Sequence, residues 1–207
     1  SMGLNLFPDL VRRASVDDDR DDTLVSDCRS AGWTAPPVPR ITRRIGIDAQ
    51  PLSVQNEDDV RWLEACLWPE EPRRGRRFRA IVAAATKWPA PEFITGDAVA
   101  ALATTLDTVT GPCVIMNSWV LAYLSPAQRR DYRAVIDTYR ATHPDVAWIT
   151  FEHPAVNGDL LFPPVETPVE WAGATAVTVT TGTTPSRHWG WCHPHGHWFS
   201  VASGPNA

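Results

Sequence analysis

Apolar residues along the chain switch between the spacing of a strand and that of a helix, and the switches predict the elements. Residues 41–47 read as a strand that breaks at Gly46-Ile47-Asp48, with Pro51 closing the turn. Asn56 is placed to cap a helix with Glu57, Asp58 and Asp59 in its first turn, Val60, Leu63 and Leu67 on one face, and Pro69 as its stop. A second helix runs from about Arg73 through Phe78, Ile81, Val82 and Ala85, until Trp88-Pro89 ends it. Phe93-Ile94-Thr95 is a short strand that turns at Gly96-Asp97, and residues 99–106 form a short helix. The uninterrupted run Cys113-Val114-Ile115-Met116 predicts a strand covered on both faces of a parallel sheet, ending at Asn117-Ser118-Trp119. Ser125-Pro126-Ala127-Gln128 joins a capping box to Pro at the first helical position, with Tyr132, Val135, Ile136 and Tyr139 following at helical spacing. Residues 146–151 form a strand ending at Glu152-His153-Pro154, and residues 176–181, with their β-branched alternation, form another. Part of residues 189–201 pairs with the latter across the turn around Gly182.

Strand and helix alternate three or four times before two strands follow in succession. The order predicts an α/β fold: a Rossmann-like three-layer sandwich with residues 41–47, 92–95, 112–116 and 146–151 parallel in one sheet and a terminal antiparallel hairpin at its edge. The 207 residues suit a single α/β domain, 1–207.

Composition narrows the function classes. With 43% hydrophobic and 21% charged residues, a disordered, collagenous or disulfide-scaffold protein is excluded. A net charge of −5 gives no field that draws polyanions, so nucleic acid is not the expected partner. No apolar run reaches the length of a membrane span, and a cytoplasmic protein that binds a small molecule is expected. Oligomeric state has no signature in the sequence. Ser1-Met2 matches a remnant left by an expression tag. Cys28, Cys66, Cys113 and Cys192 are widely spaced and form no Cys-x-x-Cys pair, which suits reduced and mostly buried thiols.

Candidate chemistry sits at predicted strand ends, where open α/β sheets bind ligands. Gly3 with Asn5, Asp48, Asp97, and Asn117 with Ser118 occupy four such ends. A glycine loop opening a helix offers free backbone N–H donors, and an acid at the next strand end accepts ribose hydroxyls, so the set suits a nucleoside ligand. His193, His195 and His197 would share one face of an extended strand and could hold Zn²⁺, but Pro194 and Gly196 argue against a regular strand. No metal is expected, and His195 is expected to be the most buried of the three, packed near Trp198. The arginines of residues 73–79 read as a solvated helix face, Ser118 lacks the context of a hydrolase nucleophile, and the ten Trp read as core and loop anchors.

Six segments carry a resemblance. Ser-Met-Gly-Leu-Asn-Leu at the start, Gly46-Ile-Asp-Ala-Gln-Pro-Leu52, Trp62-Leu-Glu-Ala-Cys-Leu-Trp-Pro-Glu70, Gly96-Asp97, Asn117-Ser-Trp-Val-Leu-Ala-Tyr-Leu-Ser-Pro126 and His193-Pro-His-Gly-His-Trp198 resemble, in order, the motifs of an uncharacterised bacterial family, domain of unknown function 2332. The family has a longer amino-terminal part, so the resemblance implies that this chain is a carboxy-terminal fragment. The motif order also resembles that of class I methyltransferases and implies S-adenosylmethionine as cofactor. By that resemblance Gly3 and Asn5 would lie beside the methionine end, Asp48 near the ribose, Asp97 near the adenine amino group, and Asn117-Ser118 beside the transferring methyl. Glu152 or His153, at the next strand end, would remove a proton from the acceptor. A non-catalytic ligand-binding or interaction module is the alternative expectation, and a zinc-dependent hydrolase built on His193 to His197 a further one.

Overall fold

Asn56 caps the first helix by accepting the Asp58 N–H at 2.9 Å, one of the four donors that a helix start leaves without an internal partner. From this and similar local choices the elements follow, in a computed structural model that describes residues 12–13, 25–33, 40–67, 72–87 and 89–202. They are β1 (Arg12–Arg13), β2 (Val25–Cys28), β3 (Ile45–Asp48), α1 (Glu57–Ala65), α2 (Pro72–Ala85), β4 (Glu92–Thr95) and α3 (Ala98–Leu106). Then come β5 (Cys113–Ser118), α4 (Pro126–Thr142), β6 (Val146–Glu152), β7 (Thr175–Thr181), β8 (Arg187–Cys192) and β9 (Trp198–Val201). Short 3₁₀ turns span Leu121–Tyr123, Pro154–Val156 and Val169–Trp171. No helix among the described residues is long and apolar enough to cross a membrane.

The chain divides into two compact units, Ser1–Ser26 with Thr34–Ala98, and Asp27–Trp33 with Val99–Ala207. In the first, β3 and β4 pair in parallel from Ile45 opposite Glu92 to Asp48 opposite Thr95, and Arg43 grips Glu92 through two bonds of 2.8 and 2.7 Å. Val54 and Ala85 form its buried centre, with Leu52, Val60, Leu63, Phe78 and Val82 packed around them. Val60, Leu63, Phe78 and Val82 are the apolar faces read from helical spacing. Arg79 pairs with Glu64 of α1 at 2.5 Å.

The second unit is a mixed six-stranded sheet in the order β2-β9-β8-β7-β6-β5, curled into a half-barrel. Pairs β5–β6 and β2–β9 are parallel, while β6–β7, β7–β8 and β8–β9 are antiparallel. On β6, Val146, Trp148, Thr150 and Glu152 alternate onto the buried face. Helix α4 buries Tyr132, Ile136 and Tyr139 and begins with the capping box that its sequence promises: the Ser125 side chain accepts from the Gln128 N–H, and the Gln128 side chain accepts from the Ser125 N–H.

This architecture overturns the Rossmann-like, mostly parallel sandwich. Among the described residues β3 and β4 form a sheet of their own, apart from β5 and β6. The strands predicted as a terminal hairpin occupy the middle of the larger sheet, and residues 189–201 hold two strands rather than one. The misleading signal was the run Cys113 to Met116. Strand β5 lies at the edge of its sheet, Val114 is 60% exposed, and the burial alternates along the strand. An apolar run shows that no charge is present, and cover on both faces does not follow from it.

Candidate functional site

Parallel strands β5 and β6 end side by side, Ser118 opposite Phe151, and the ladder extends one bond further, from the Trp119 N–H to the Phe151 carbonyl at 3.0 Å. The residues predicted as catalytic, Asn117, Ser118, Glu152 and His153, therefore gather at one end of the second unit's sheet. Alternation along β5 points Asn117 to the buried face and Ser118 to the opposite one.

Asn117 is 5% exposed, and its amide is used inside the core. Its Nδ2 donates to the Tyr132 hydroxyl at 2.9 Å, and its Oδ1 accepts from the Trp148 indole N–H at 2.8 Å. Burial pushes the Tyr132 hydroxyl up to about 12, so at neutral pH it keeps its proton. This chain of three side chains joins β5, α4 and β6.

Glu152 is 1% exposed, and both its oxygens are occupied. Oε1 accepts from the Val120 and Leu121 N–H groups at 2.9 and 3.0 Å, and Oε2 from the Ala122 N–H at 3.3 Å. The 3₁₀ turn Leu121–Tyr123 has no cap from its own preceding side chain, and Glu152 supplies one from the neighbouring strand. Arg129 completes the clamp, donating through Nε to the Leu121 carbonyl at 2.9 Å and through Nη1 to Asp159 at 2.5 Å. Burial raises the Glu152 carboxyl above the ordinary carboxylate range, with the three N–H donors and the Arg129 charge pulling it back. A carboxylate so enclosed holds a loop in place and cannot reach a substrate proton. His153 is exposed, and its Nδ1 accepts the Ala155 N–H at 3.1 Å. A neutral imidazole so engaged carries its proton on Nε2, which makes the outward nitrogen a donor rather than a base. Of the residues expected to be catalytic, Asn117 and Glu152 are thus engaged by groups of the protein itself, and His153 Nδ1 by a backbone N–H.

Two features of this end have no signature in the sequence. Trp119 at φ 53° and Leu161 at φ 50° are the non-glycine residues with positive φ among the described residues, and both follow the carboxyl ends of β5 and β6. Such backbone costs on the order of 1–3 kcal/mol and persists only where its surroundings fix it. The Trp119 indole N–H is fixed by the Thr175 hydroxyl at 3.0 Å, and its ring meets His153 edge-on at 6.2 Å between centroids. The same loops expose Val120, Tyr123, Leu161 and Val169, the last three by 75% or more.

In the first unit, the parallel β3–β4 register sets Asp48 opposite Thr95, and the Gly96 N–H donates to the Asp48 carbonyl at 3.0 Å, so Asp48 and Asp97 stand at the same strand end. Asp48 Oδ1 also accepts the Gln50 N–H at 2.9 Å, an Asx turn, and Asp97 directly precedes α3. The other two predicted cofactor contacts, Gly3 and Asn5, lie outside the described residues.

The histidine cluster folds as a turn between β8 and β9. The His193 carbonyl accepts the Gly196 N–H at 2.8 Å, and His193 Nδ1 accepts the His195 N–H at 3.0 Å. Ring centroids lie 4.5 Å (His193–His197) and 5.5 Å (His193–His195) apart, and no group of three or more His, Cys, Asp or Glu side chains among the described residues is arranged to hold a metal ion. His195 is the exposed member of the three, against the expectation that it is the most buried. Gly196, at φ 70°, supplies the left-handed backbone with which the turn closes.

No curated protein and no solved structure matches the chain. A family model described as "Uncharacterized protein conserved in bacteria (DUF2332)" matches residues 1–201.

Proposed function

The chain belongs to that uncharacterised bacterial family, and on this premise we propose that it is a non-catalytic ligand-binding module whose binding end is formed by the loops after β5 and β6. The observation that carries the reading is the Glu152 carboxylate, spent on three backbone N–H groups and sealed from solvent. At this end the ionisable group shapes a loop, and the loops it shapes present Val120, Tyr123 and Leu161 to solvent. A site with apolar contact surface and few polar groups suits recognition of a small molecule with an apolar or aromatic face.

The test is a ligand screen by thermal shift and amide NMR, followed by analysis of the ligand after incubation. A ligand that perturbs the amides of residues 119–124 and 153–162 and is recovered unchanged supports the reading. Turnover that is lost in Ser118→Ala, with the fold retained, overturns it.

A second reading is favoured by the placement of Asp48 beside Asp97. Two carboxylates at one strand end have the acceptor chemistry for ribose hydroxyls and an exocyclic amine, so the residues of this edge fit the nucleoside part of S-adenosylmethionine. The methyl-transfer part is not supported, since Asn117 and Glu152 are committed to the core. In this reading Asp48→Ala and Asp97→Ala each weaken S-adenosylmethionine binding by about 1–3 kcal/mol. Calorimetry that detects no binding to the wild-type chain removes it.

A further inference from the structure

His188 lies on β8 opposite Thr178, at the point where the β7–β8 register shifts. Beyond it Val177 faces Gly190, so Trp189 is the extra residue of a bulge. Both ring nitrogens of His188 are buried, and neither has a hydrogen-bond partner. A neutral imidazole with neither its donor nor its acceptor satisfied is a costly arrangement, and an imidazolium with two unsatisfied donors is costlier.

The neighbours that the strand register and the ring contact set beside the imidazole are neutral. Across the ladder stands the Thr178 hydroxyl, and on the same strand the Trp191 ring meets His188 edge-on at 5.0 Å. Arg187, the charged residue of β8, alternates to the opposite face. The residues of β9 that pair with β8 are Phe199, Ser200 and Val201. Burial alone lowers the His188 pKa from its ordinary value, with no contribution from any charged side chain.

Attachment along β8 is uneven. From Gly190 onward the strand is fixed to β9: a Cβ at Gly190 would lie 2.0 Å from the Ser200 carbonyl oxygen, and the Ala202 N–H donates to the Trp189 carbonyl at 2.8 Å. Among the described residues the β8–β9 register runs from Gly190 to Cys192, and Arg187 and His188 pair with β7. The turn before them is tied by the Thr180 hydroxyl on Ser186 Oγ at 2.8 Å and by Arg140 Nη2 on the Thr184 carbonyl at 3.0 Å.

We propose that His188 is an acid-sensitive latch: with its ring neutral, the limb of residues 182–188 lies closed on β7, and protonation releases that limb while the rest of β8 stays on β9. Among the described residues no protein group takes the two ring protons, and lifting the limb gives both of them water. The end of the sheet that moves is opposite to the loops after β5 and β6, so the latch stands or falls independently of the proposed binding end.

The test combines NMR titration of the His188 ring with amide hydrogen exchange at pH 7.5 and 5.5, corrected for intrinsic exchange rates. An opened limb with an ordinary imidazole, near pH 6.5, is favoured by up to about tenfold more at pH 5.5 than at pH 7.5. Protection of residues 178–188 is expected to fall by about that factor while the β5–β6 amides keep theirs, and His188→Phe is expected to abolish the effect. If His188→Phe fails to fold, His188→Asn, which does not titrate in this range, takes its place. Titration of His188 at or above its ordinary value, or a loss of protection that persists in either variant, overturns the proposal.

Discussion

Glu152 shows how far a residue's type can mislead about its work. A carboxylic acid at a strand end suggests proton transfer, yet here the side chain substitutes for a missing cap on the turn Leu121–Tyr123. Glu152→Gln tests this directly, because an amide sets its own N–H2 against backbone N–H groups. A loss of about 1–3 kcal/mol is expected, read from the urea midpoint at constant slope. The pH response has a definite sign. Burial raises the Glu152 carboxyl in the folded state, so its contribution favours the fold in acid and is lost as pH rises through that raised value. His188 acts in the opposite sense, since its lowered pKa gives stability that is present above about pH 6.5, the ordinary imidazole value, and is lost as pH falls below it. Gly190→Ala must displace backbone rather than a flexible side chain, and its cost is expected to exceed the 1–3 kcal/mol typical of overpacking a core.

Among the elements, those whose sequences contain their own boundaries were the readable ones. Helix α4 could be drawn from Ser125, Pro126 and Gln128, because a capping box is local chemistry. Ser125→Ala is expected to cost about 1 kcal/mol, measured by thermal unfolding of variant and parent. Asn56 and the apolar faces of α1 and α2 were legible for the same reason. Strand partners were not. The pairing of β3 with β4 and of β5 with β6 was anticipated in direction, but residues 45–48 carry no mark that they form a separate sheet from residues 113–118. The half-barrel depends on which strand lies next to which, a long-range property that alternation of apolar residues leaves open. The candidate site divides in the same way. Its residues could be found because loops follow strand ends, whereas their roles depended on Tyr132, Trp148 and Arg129, which come from other elements, and on the left-handed backbone at Trp119 and Leu161.

At the scale of the whole molecule, the second unit is closed by a segment distant in sequence. Strand β9 pairs with β2 at Asp27–Trp198 and Cys28–Phe199, and Ser30 Oγ accepts the Val201 N–H at 2.6 Å and donates to the Val201 carbonyl at 3.2 Å, 171 positions along the chain. Strands β6 to β9, by contrast, meet their partners through successive antiparallel connections. Loop-closure entropy makes the nearby pairings cheap and the remote one expensive, so the meander is expected to form first and β2 to dock last. Hydrogen-exchange pulse labelling during refolding would show protection of β7 and β8 before β2, and simultaneous protection would contradict that order. Until β2 arrives, β9 stands as an open edge of unpaired N–H and C=O groups. Any extended chain segment that reaches it in that interval, including the β2 of a second copy, can complete the sheet in its place, which makes the docking of residues 27–30 the step at which slow folding at high concentration would turn into strand exchange or aggregation.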